Sequence, residues 1–178
     1  MPHTFIFDLD GTTVDSSHRL GAGSLASWRR NNTAANIMRD RMLPLAATMR
    51  RGIAESLDIV VCTSRVAGHA DRVWLKQRGM LPATGNFIAR AANDNREAGI
   101  YKLSKLQRLA KSRGTNWGDF VKRVIFWDDD LDVQQTMHDA GIRCLDPVNY
   151  NLNQTGDTSR TPRPLYSQSS ISTSILLA

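Results

Sequence analysis

Two aspartates stand one residue apart at the end of an apolar run, in Phe5-Ile6-Phe7-Asp8-Leu9-Asp10-Gly11-Thr12. Continuous apolar character predicts a parallel strand buried on both faces, which places both carboxylates at its carboxyl end, where open α/β sheets bind ligands. Because two like charges at this spacing stay ionised when a cation lies between them, and oxygen ligands favour Mg2+, the pair indicates a magnesium site. The alternative is a strand end at which Asp8 and Asp10 only cap amides of a turn.

Two further apolar runs also end in short polar residues. Asp58-Ile59-Val60-Val61-Cys62 predicts a second buried strand, followed by Thr63-Ser64-Arg65, and Val121 to Trp127 predicts a fourth, followed by Asp128-Asp129-Asp130. The carboxyl ends of these strands can be neighbours in a doubly wound sheet. We therefore expect one cation to be surrounded by side chains from three strand ends, with a lysine reaching it from a helix start: Asp8, Asp10, Thr63, Asp128, Asp129 and Lys102.

The remaining pattern alternates strands with helices. Short strands are predicted at Asn86 to Ala89 and Ile142 to Leu145, and the helices lie around His69 to Arg78, Tyr101 to Arg113 and Leu131 to Ala140. Thr33 is predicted to cap a further helix that carries Ile37, Met38 and Met42 inward. Such alternation predicts an α/β fold, a three-layer Rossmann-like parallel sheet of about five strands with helices on both faces.

Length and composition fit one domain. Of the 178 residues, 1–150 carry the alternating pattern, whereas 151–178 are rich in Ser, Thr, Asn, Gln and Pro and are predicted to be a polar tail. Cys62 and Cys144 are interpreted as reduced core thiols, and no apolar run approaches the ~20 residues of a membrane span, so we expect a cytoplasmic protein without membrane contact. The net charge of +6 favours a polyanionic partner.

The order of the motifs resembles that of haloacid dehalogenase-like (HAD) phosphatases over about residues 4–147. The resemblance implies that Asp8 attacks phosphorus and becomes an aspartyl-phosphate, while Asp10 protonates the leaving oxygen and later activates water. It also implies Mg2+ between Asp8, the backbone carbonyl of Asp10 and Asp128. Thr63 and its amide would hold a phosphoryl oxygen, and Lys102 would offset the developing negative charge.

Three assignments stay open at this point. Lys105 lies one helical turn beyond Lys102. The position of Lys102 at the helix start, nearer the sheet edge, favours it over Lys105, and the alternative for either lysine is a solvated basic face. Asp129 either faces the metal or orients a ligand from behind it. Asp130 and Asp132 are expected to orient or cap the following helix.

Two arginines bear on the substrate. Arg19, eleven residues beyond Asp8, and Arg65 look like the arginines that contact substrate phosphate in the 3'-phosphatase domain of phage-type polynucleotide kinase/phosphatases. That family usually reads Ser-Gly-Arg where this chain has Thr63-Ser64-Arg65, and a basic residue is common where Asp130 stands. Alternatively, Arg19 is solvated and Arg65 pairs with a nearby aspartate. The predicted substrate-binding residues are Gly11, Thr12, Arg19, Ser64 and Arg65.

The stretch between Asp10 and Thr63 is too short for a full cap domain, so an open site with a minimal cap or none is expected. We predict a Mg2+-dependent phosphomonoesterase that removes 3'-phosphate from nucleic-acid ends, with a separate kinase or ligase as a possible partner. One alternative is a 5'- or 3'-nucleotidase acting on free nucleoside monophosphates, and another is a non-catalytic nucleic-acid-binding protein. Trp28 is a candidate for base stacking, whereas the strand position of Trp127 favours the core.

Overall fold

The computed structural model describes residues 3–20, 27 and 30–155, and its centre is a parallel sheet. The strands in chain order are β1 (Thr4–Phe7), β2 (Val14–Asp15), β3 (Arg41–Met42), β4 (Asp58–Thr63), β5 (Phe87–Ala89), β6 (Val124–Trp127) and β7 (Arg143–Leu145). Five of them form the sheet in the order β5-β4-β1-β6-β7, all pairs parallel, while β2 and β3 form a separate antiparallel ribbon. The predicted fold class is confirmed.

Helices connect the strands. They are α1 (Ala34–Ile37), α2 (Leu45–Ala54), α3 (His69–Gln77), α4 (Ala98–Ser112), α5 (Trp117–Val121), α6 (Leu131–Asp139) and α7 (Pro147–Thr155), and Ser17–Arg19 forms a single 3-10 turn. Val121 was expected to open the fourth strand but instead ends α5, a short helix whose first turn is held by the Asn116 side chain, which accepts a hydrogen bond from the backbone of Asp119 at 2.9 Å.

Two hydrophobic layers hold the helices against the sheet. Because side chains alternate along β1, Phe5 and Phe7 face one layer and Ile6 faces the other. The first layer packs on α2 and α3 and includes Trp127, which confirms its core position. The second packs on α4 and α6 and contains both cysteines, which are buried and not disulfide-bonded, as predicted. Each large buried side chain in such layers stabilises the fold by about 1.5–3 kcal/mol, so the site rests on a rigid sheet.

The chain between β1 and β4 contains the β2–β3 ribbon, the 3-10 turn, α1 and α2. Thr33 caps α1 as predicted, accepting a hydrogen bond from the backbone N–H of Asn36 at 3.3 Å, and Ile37 is buried. The inward positions predicted for Met38 and Met42 are wrong, since α1 ends at Ile37 and both methionines are at least 40% exposed. Within the described residues, the part of this insert that precedes α2 is therefore a small ribbon, one turn and one short helix.

Helix α7 crosses the predicted boundary at residue 150. Its Asn151 is buried, donates from Nδ2 to the backbone oxygen of Thr12 at 3.0 Å and accepts from the backbone N–H of Leu45 at 2.9 Å. Residues 151–155, expected at the start of a polar tail, therefore complete a helix that supports the loop after β1. The rest of the predicted tail and Trp28 lie outside the described residues. No helix in the described ranges is both long enough and apolar enough to span a membrane.

Candidate active site

The strand order brings the predicted residues to one edge of the sheet. β1 lies between β4 and β6, with Phe7 in register with Val61 on one side and Trp127 on the other. The residues that follow these three strands therefore meet around a cavity of about 260 Å³. It is lined by Asp8, Asp10, Thr63, Ser64, Arg65, Ala98, Lys102, Asp128, Asp129 and Asp130.

Three aspartates form a group that fits a metal ion. One carboxylate oxygen from each of Asp8, Asp128 and Asp129 lies within 4.8 Å of the others. Burial raises the pKa of Asp8 and of Asp128, and burial followed by the charge of Asp8 raises the pKa of Asp129 to about 6. An oxygen-only donor set with this much buried negative charge suits a hard divalent cation such as Mg2+.

Asp129 takes part in this group and is also held from behind. The Thr12 hydroxyl donates to its carboxylate and accepts from its backbone N–H, both at 3.1 Å. Gly11 has a φ of +74°, and a Cβ at Gly11 would overlap the Asp129 carboxylate. The Asp-Gly-Thr sequence after β1 therefore leaves room for Asp129 and then fixes its orientation.

Lys102 supplies a cation at the same place. Its Nζ lies 2.6 Å from Asp128 Oδ2 and 2.9 Å from Asp8 Oδ1, and the side chain is buried. Burial alone would lower the pKa of Lys102, but Asp128 and Asp8 outweigh it and raise the pKa above its usual value. Lys105 instead lies with its Nζ 5.6 Å from the centre of the Tyr101 ring. Of the two lysines left open by the sequence, Lys102 is therefore the one that reaches the carboxylates.

Asp10 lies in a different environment from Asp8. Its Oδ1 accepts from the Ser16 hydroxyl and from Arg65 Nη2, and its Oδ2 accepts from Arg65 Nε at 3.0 Å. Burial acts to raise the pKa of Asp10, but Arg65 and Ser16 outweigh it and lower the pKa. Asp10 is outside the side-chain group of the metal site, so its contribution there through the backbone carbonyl stays a prediction.

Both predicted substrate arginines contact aspartates. Arg65 Nη1 lies 3.2 Å from Asp40 and 2.9 Å from Asp71. Pairing with a nearby aspartate was the alternative that the sequence left open for Arg65. Arg19 is fully buried, and its Nη2 lies 2.6 Å from Asp40 and 3.6 Å from Asp10. Arg65 lines the cavity, whereas Arg19 is buried behind it. Contact of either arginine with the substrate phosphate stays a prediction.

The segment after β4 presents two hydroxyls. Thr63 is buried, and its Oγ1 accepts a hydrogen bond from the backbone N–H of Arg65 at 3.2 Å, which rounds the chain into a turn at the cavity. The buried Oγ of Ser64 has no hydrogen-bond partner among the described residues. This hydroxyl and the neighbouring amides can receive phosphoryl oxygens.

Residues that the sequence did not reveal complete the site. Asp40 and Asp71 anchor Arg65, Ser16 bonds Asp10, and Asn151 supports the loop after β1. None of them lies in a motif with fixed spacing to its partner.

Asp130 was expected to cap the next helix, and it does so, accepting from the backbone N–H of Asp132 at 2.9 Å.

Comparison with known proteins identifies the family. Residues 1–161 match the family model described as bacteriophage T5 5'-deoxynucleotidase. The chain belongs to this family. A curated relative, the 5'-deoxynucleotidase of Escherichia phage T5, is 32% identical over 91 residues, which cover 44% of this chain and 37% of that protein. The aligned part thus spans well under half of the length of the T5 relative.

Solved structures of other proteins share the fold of this member of the 5'-deoxynucleotidase family. A haloacid dehalogenase-like hydrolase from Streptococcus pneumoniae superposes with a TM-score of 0.60 at 12% identity, covering 82% of this chain and 84% of the other. The structure of a Pnkp1/Rnl/Hen1 complex superposes with a TM-score of 0.54 at 19% identity, covering 82% of this chain and 46% of the other. The HAD-like resemblance is confirmed, and at these identities the structural likeness concerns the fold.

Proposed function

We propose that the protein is a phosphomonoesterase that releases phosphate from deoxynucleoside 5'-monophosphates through a phosphorylated Asp8. The observation that carries the proposal is the position of Asp8, buried at the tip of β1, 2.9 Å from Lys102 and grouped with Asp128 and Asp129 around one cavity. The name of the T5 relative supports the deoxynucleotide substrate. This is the nucleotidase alternative of the sequence analysis, and it now precedes the 3'-phosphatase hypothesis.

The first half of the reaction uses two carboxylates. An Asp8 oxygen attacks phosphorus, the bond from phosphorus to the ester oxygen breaks, and that oxygen takes a proton from Asp10 as the nucleoside leaves. Because Arg65 lowers the pKa of Asp10 in the free protein, Asp10 takes up this proton when the negatively charged phosphoryl group binds beside it. Lys102, between Asp8 and Asp128, stabilises the negative charge that develops on the phosphoryl oxygens. Thr63, Ser64 and their amides hold the phosphoryl group in line.

The second half regenerates the enzyme. Asp10, now deprotonated, takes a proton from a water molecule that attacks phosphorus, and the bond between phosphorus and the Asp8 oxygen breaks to release phosphate. Asp8, Asp128 and Asp129 would hold Mg2+, which when bound neutralises phosphoryl oxygens and lets one anion approach another. The buried, closely spaced carboxylates fit that ion.

A second candidate is removal of 3'-phosphate from nucleic-acid ends. The small insert between β1 and β4 leaves the cavity without a large cover in the described residues, and the net charge is +6, features that suit a polymer end. If the protein has this second function, a separate kinase or ligase is its predicted partner.

A side-by-side phosphate-release assay separates the two. The purified protein with Mg2+ is given deoxynucleoside 5'-monophosphates, deoxynucleoside 3'-monophosphates, and oligonucleotides phosphorylated at either end, with Asp8→Asn as the inactive control. The proposal expects the highest kcat/KM with the 5'-monophosphates. Faster turnover of the 3'-phosphorylated oligonucleotide would favour the second candidate, and no release from any substrate would overturn both.

A further inference from the structure

The side-chain cluster behind Asp10 holds an aspartate with no role in the reaction described above. We propose that Asp40 is a positioning residue that, through Arg65 and Arg19, sets the orientation in which the Asp10 carboxyl meets the leaving oxygen. The inference rests on the proposed function, because it assigns Asp10 the proton transfer to the nucleoside.

The geometry makes Arg65 the link. Its Nε and Nη2 hold the two oxygens of Asp10, while its Nη1 contacts Asp40 at 3.2 Å and Asp71 at 2.9 Å. A guanidinium is planar and rigid, so the two carboxylates at Nη1 fix the plane in which the other nitrogens reach Asp10. Asp40 and Asp71 therefore act on Asp10 although neither touches it in the described hydrogen bonds.

Asp40 holds a second cation against the same group. Its Oδ2 lies 2.6 Å from Arg19 Nη2, and that nitrogen lies 3.6 Å from Asp10 Oδ1. The Arg19 Nη1 is fixed in turn by the Asn32 side chain at 2.6 Å, and His18 Nε2 lies 3.6 Å from Asp40 Oδ1. Both cations that approach Asp10 thus share one oxygen of Asp40.

Burial argues that this arrangement serves more than stability. The side chains of Asp40, Arg19, Arg65 and Asp71 are each at most 1% exposed. Dehydrating so many charges costs several kcal/mol per ion, and well-packed apolar residues of similar volume are often at least as stabilising. A buried ionic network at the edge of an active-site cavity is better explained by the precision that it gives to Asp10.

The location of Asp40 adds a structural link. It lies between α1 and β3, in the insert that follows β1, whereas Arg65 follows β4 and Asp71 belongs to α3, where it also accepts from the backbone N–H of Gly68 at 2.8 Å. The insert and the sheet edge therefore meet at one guanidinium. A misplacement of about 1 Å at a reacting group can cost roughly 100-fold in rate.

Substrates with different leaving groups test the inference. A deoxynucleoside leaves as an alkoxide that needs a proton from Asp10, whereas p-nitrophenolate leaves without one. In the full-length protein with Mg2+, Asp40→Asn keeps the shape of the side chain and weakens its hold on both arginines. We expect kcat/KM, which reports the step that phosphorylates Asp8, to fall about 10- to 100-fold for the deoxynucleotide and about tenfold less for p-nitrophenyl phosphate. The value of kcat should fall with both substrates, because Asp10 also takes the proton from the attacking water.

Asp58→Asn is the matched control, because Asp58 is paired with Arg113 at the opposite end of the sheet, and it is expected to change neither kcat. Equal losses of kcat/KM with the two substrates in Asp40→Asn, or a change in KM alone, would overturn the positioning role. If Asp40→Asn does not fold, Asp71→Asn acts on the same Arg65 nitrogen and is expected to show the same unequal losses. A wild-type protein inactive on both substrates would instead overturn the proposed function.

Discussion

Two clusters of aspartate and arginine lie at opposite ends of the sheet. At the amino end, Asp58 accepts from Arg113 at 2.7 and 3.0 Å, and its remaining capacity is taken by the hydroxyl of Thr4 and by Asn86. At the carboxyl end, seven carboxylates line the cavity or lie directly behind it, and three cationic side chains pair with five of them. The carboxylates are Asp8, Asp10, Asp40, Asp71, Asp128, Asp129 and Asp130, and the cations are Arg19, Arg65 and Lys102.

The two clusters differ in how far their charges are balanced, which indicates a structural role for the first and a functional role for the second. A balanced pair such as Asp58 with Arg113 joins β4 to the end of α4 and leaves little unmatched charge. The crowded carboxylates at the other end repel one another and are stabilised by a cation or by protonation, which folding alone does not require. The end of the sheet with the larger unmatched charge is therefore the end that we expect to bind ligands.

The largest effect is expected from Asp8→Asn. Without the nucleophile, phosphate release should fall by about 10⁴-fold or more. The metal-free variant should melt no lower than the wild type, because one of the mutually repelling carboxylates is gone while Lys102 keeps Asp128 as a partner. Kinetics and thermal melting with EDTA measure the two quantities, and a variant that is both active and less stable would remove the contrast between the two ends.

Mg2+ should stabilise the protein through the three-aspartate group. At a free concentration of 100 times Kd, binding contributes about 2.7 kcal/mol to the free energy of unfolding, which raises the melting temperature by roughly 5–10 °C for a domain of this size. Asp128→Asn should lose most of this rise, whereas Asp58→Asn should keep it. A rise of equal size in both variants would mean that the ion binds elsewhere.

Asp58→Asn tests the structural end. The variant leaves Arg113 without its partly buried carboxylate partner, so we expect the free energy of unfolding to fall by about 1–3 kcal/mol. Chemical denaturation measures this loss. The value of kcat with saturating Mg2+ should stay unchanged, and a lowered kcat would show that the two ends are coupled.

The smallest effects are in the pH dependence of stability, where the two ends should have opposite signs. Burial acts to raise the pKa of Asp58, but bonds from Thr4 and Arg113 outweigh it and lower the pKa, so its contribution is complete above about pH 4 and is lost as the pH falls. The pKa of Asp129 is raised to about 6, so the metal-free protein should lose stability as the pH rises from about 4 to about 6.

Denaturation with EDTA across this range checks both signs. Asp129→Asn should reduce the loss between about pH 4 and pH 6, to which the raised pKa values of Asp8 and Asp128 also contribute, and Asp58→Asn should weaken the loss below about pH 4. Added Mg2+ should suppress only the first, because it binds the ionised carboxylates. The same sign at both ends would contradict the assigned environments.

Local patterns predicted the part of the site that follows strands. Asp8, Thr63 and Asp128 come directly after continuous apolar runs, and parallel strands bring such positions to one edge. Lys102 was favoured over Lys105 for its position at the start of the helix, and its burial between Asp8 and Asp128 is what separates the two in the structure.

Local sequence patterns did not predict the residues that support the site from behind Asp10 and the loop after β1. Asp40 and Asp71 meet Arg65 only because the insert and α3 fold onto one guanidinium, and no spacing rule links them in sequence. Asn151 lies in a polar stretch that is typical of a tail, yet its amide is used to join two backbone groups, a purely tertiary role. Tertiary contacts of polar side chains were therefore the part of the site that could not be predicted from the sequence.

Trapping the phosphorylated enzyme tests the central claim most directly. The protein is mixed with a deoxynucleoside 5'-monophosphate and Mg2+, quenched in acid within the first turnover, digested and examined by mass spectrometry. The account predicts one phosphoryl group on the peptide that contains Asp8, absent in Asp8→Asn and reduced in Asp128→Asn. Turnover with no phosphorylated peptide, or with the phosphoryl group on another residue, would contradict it.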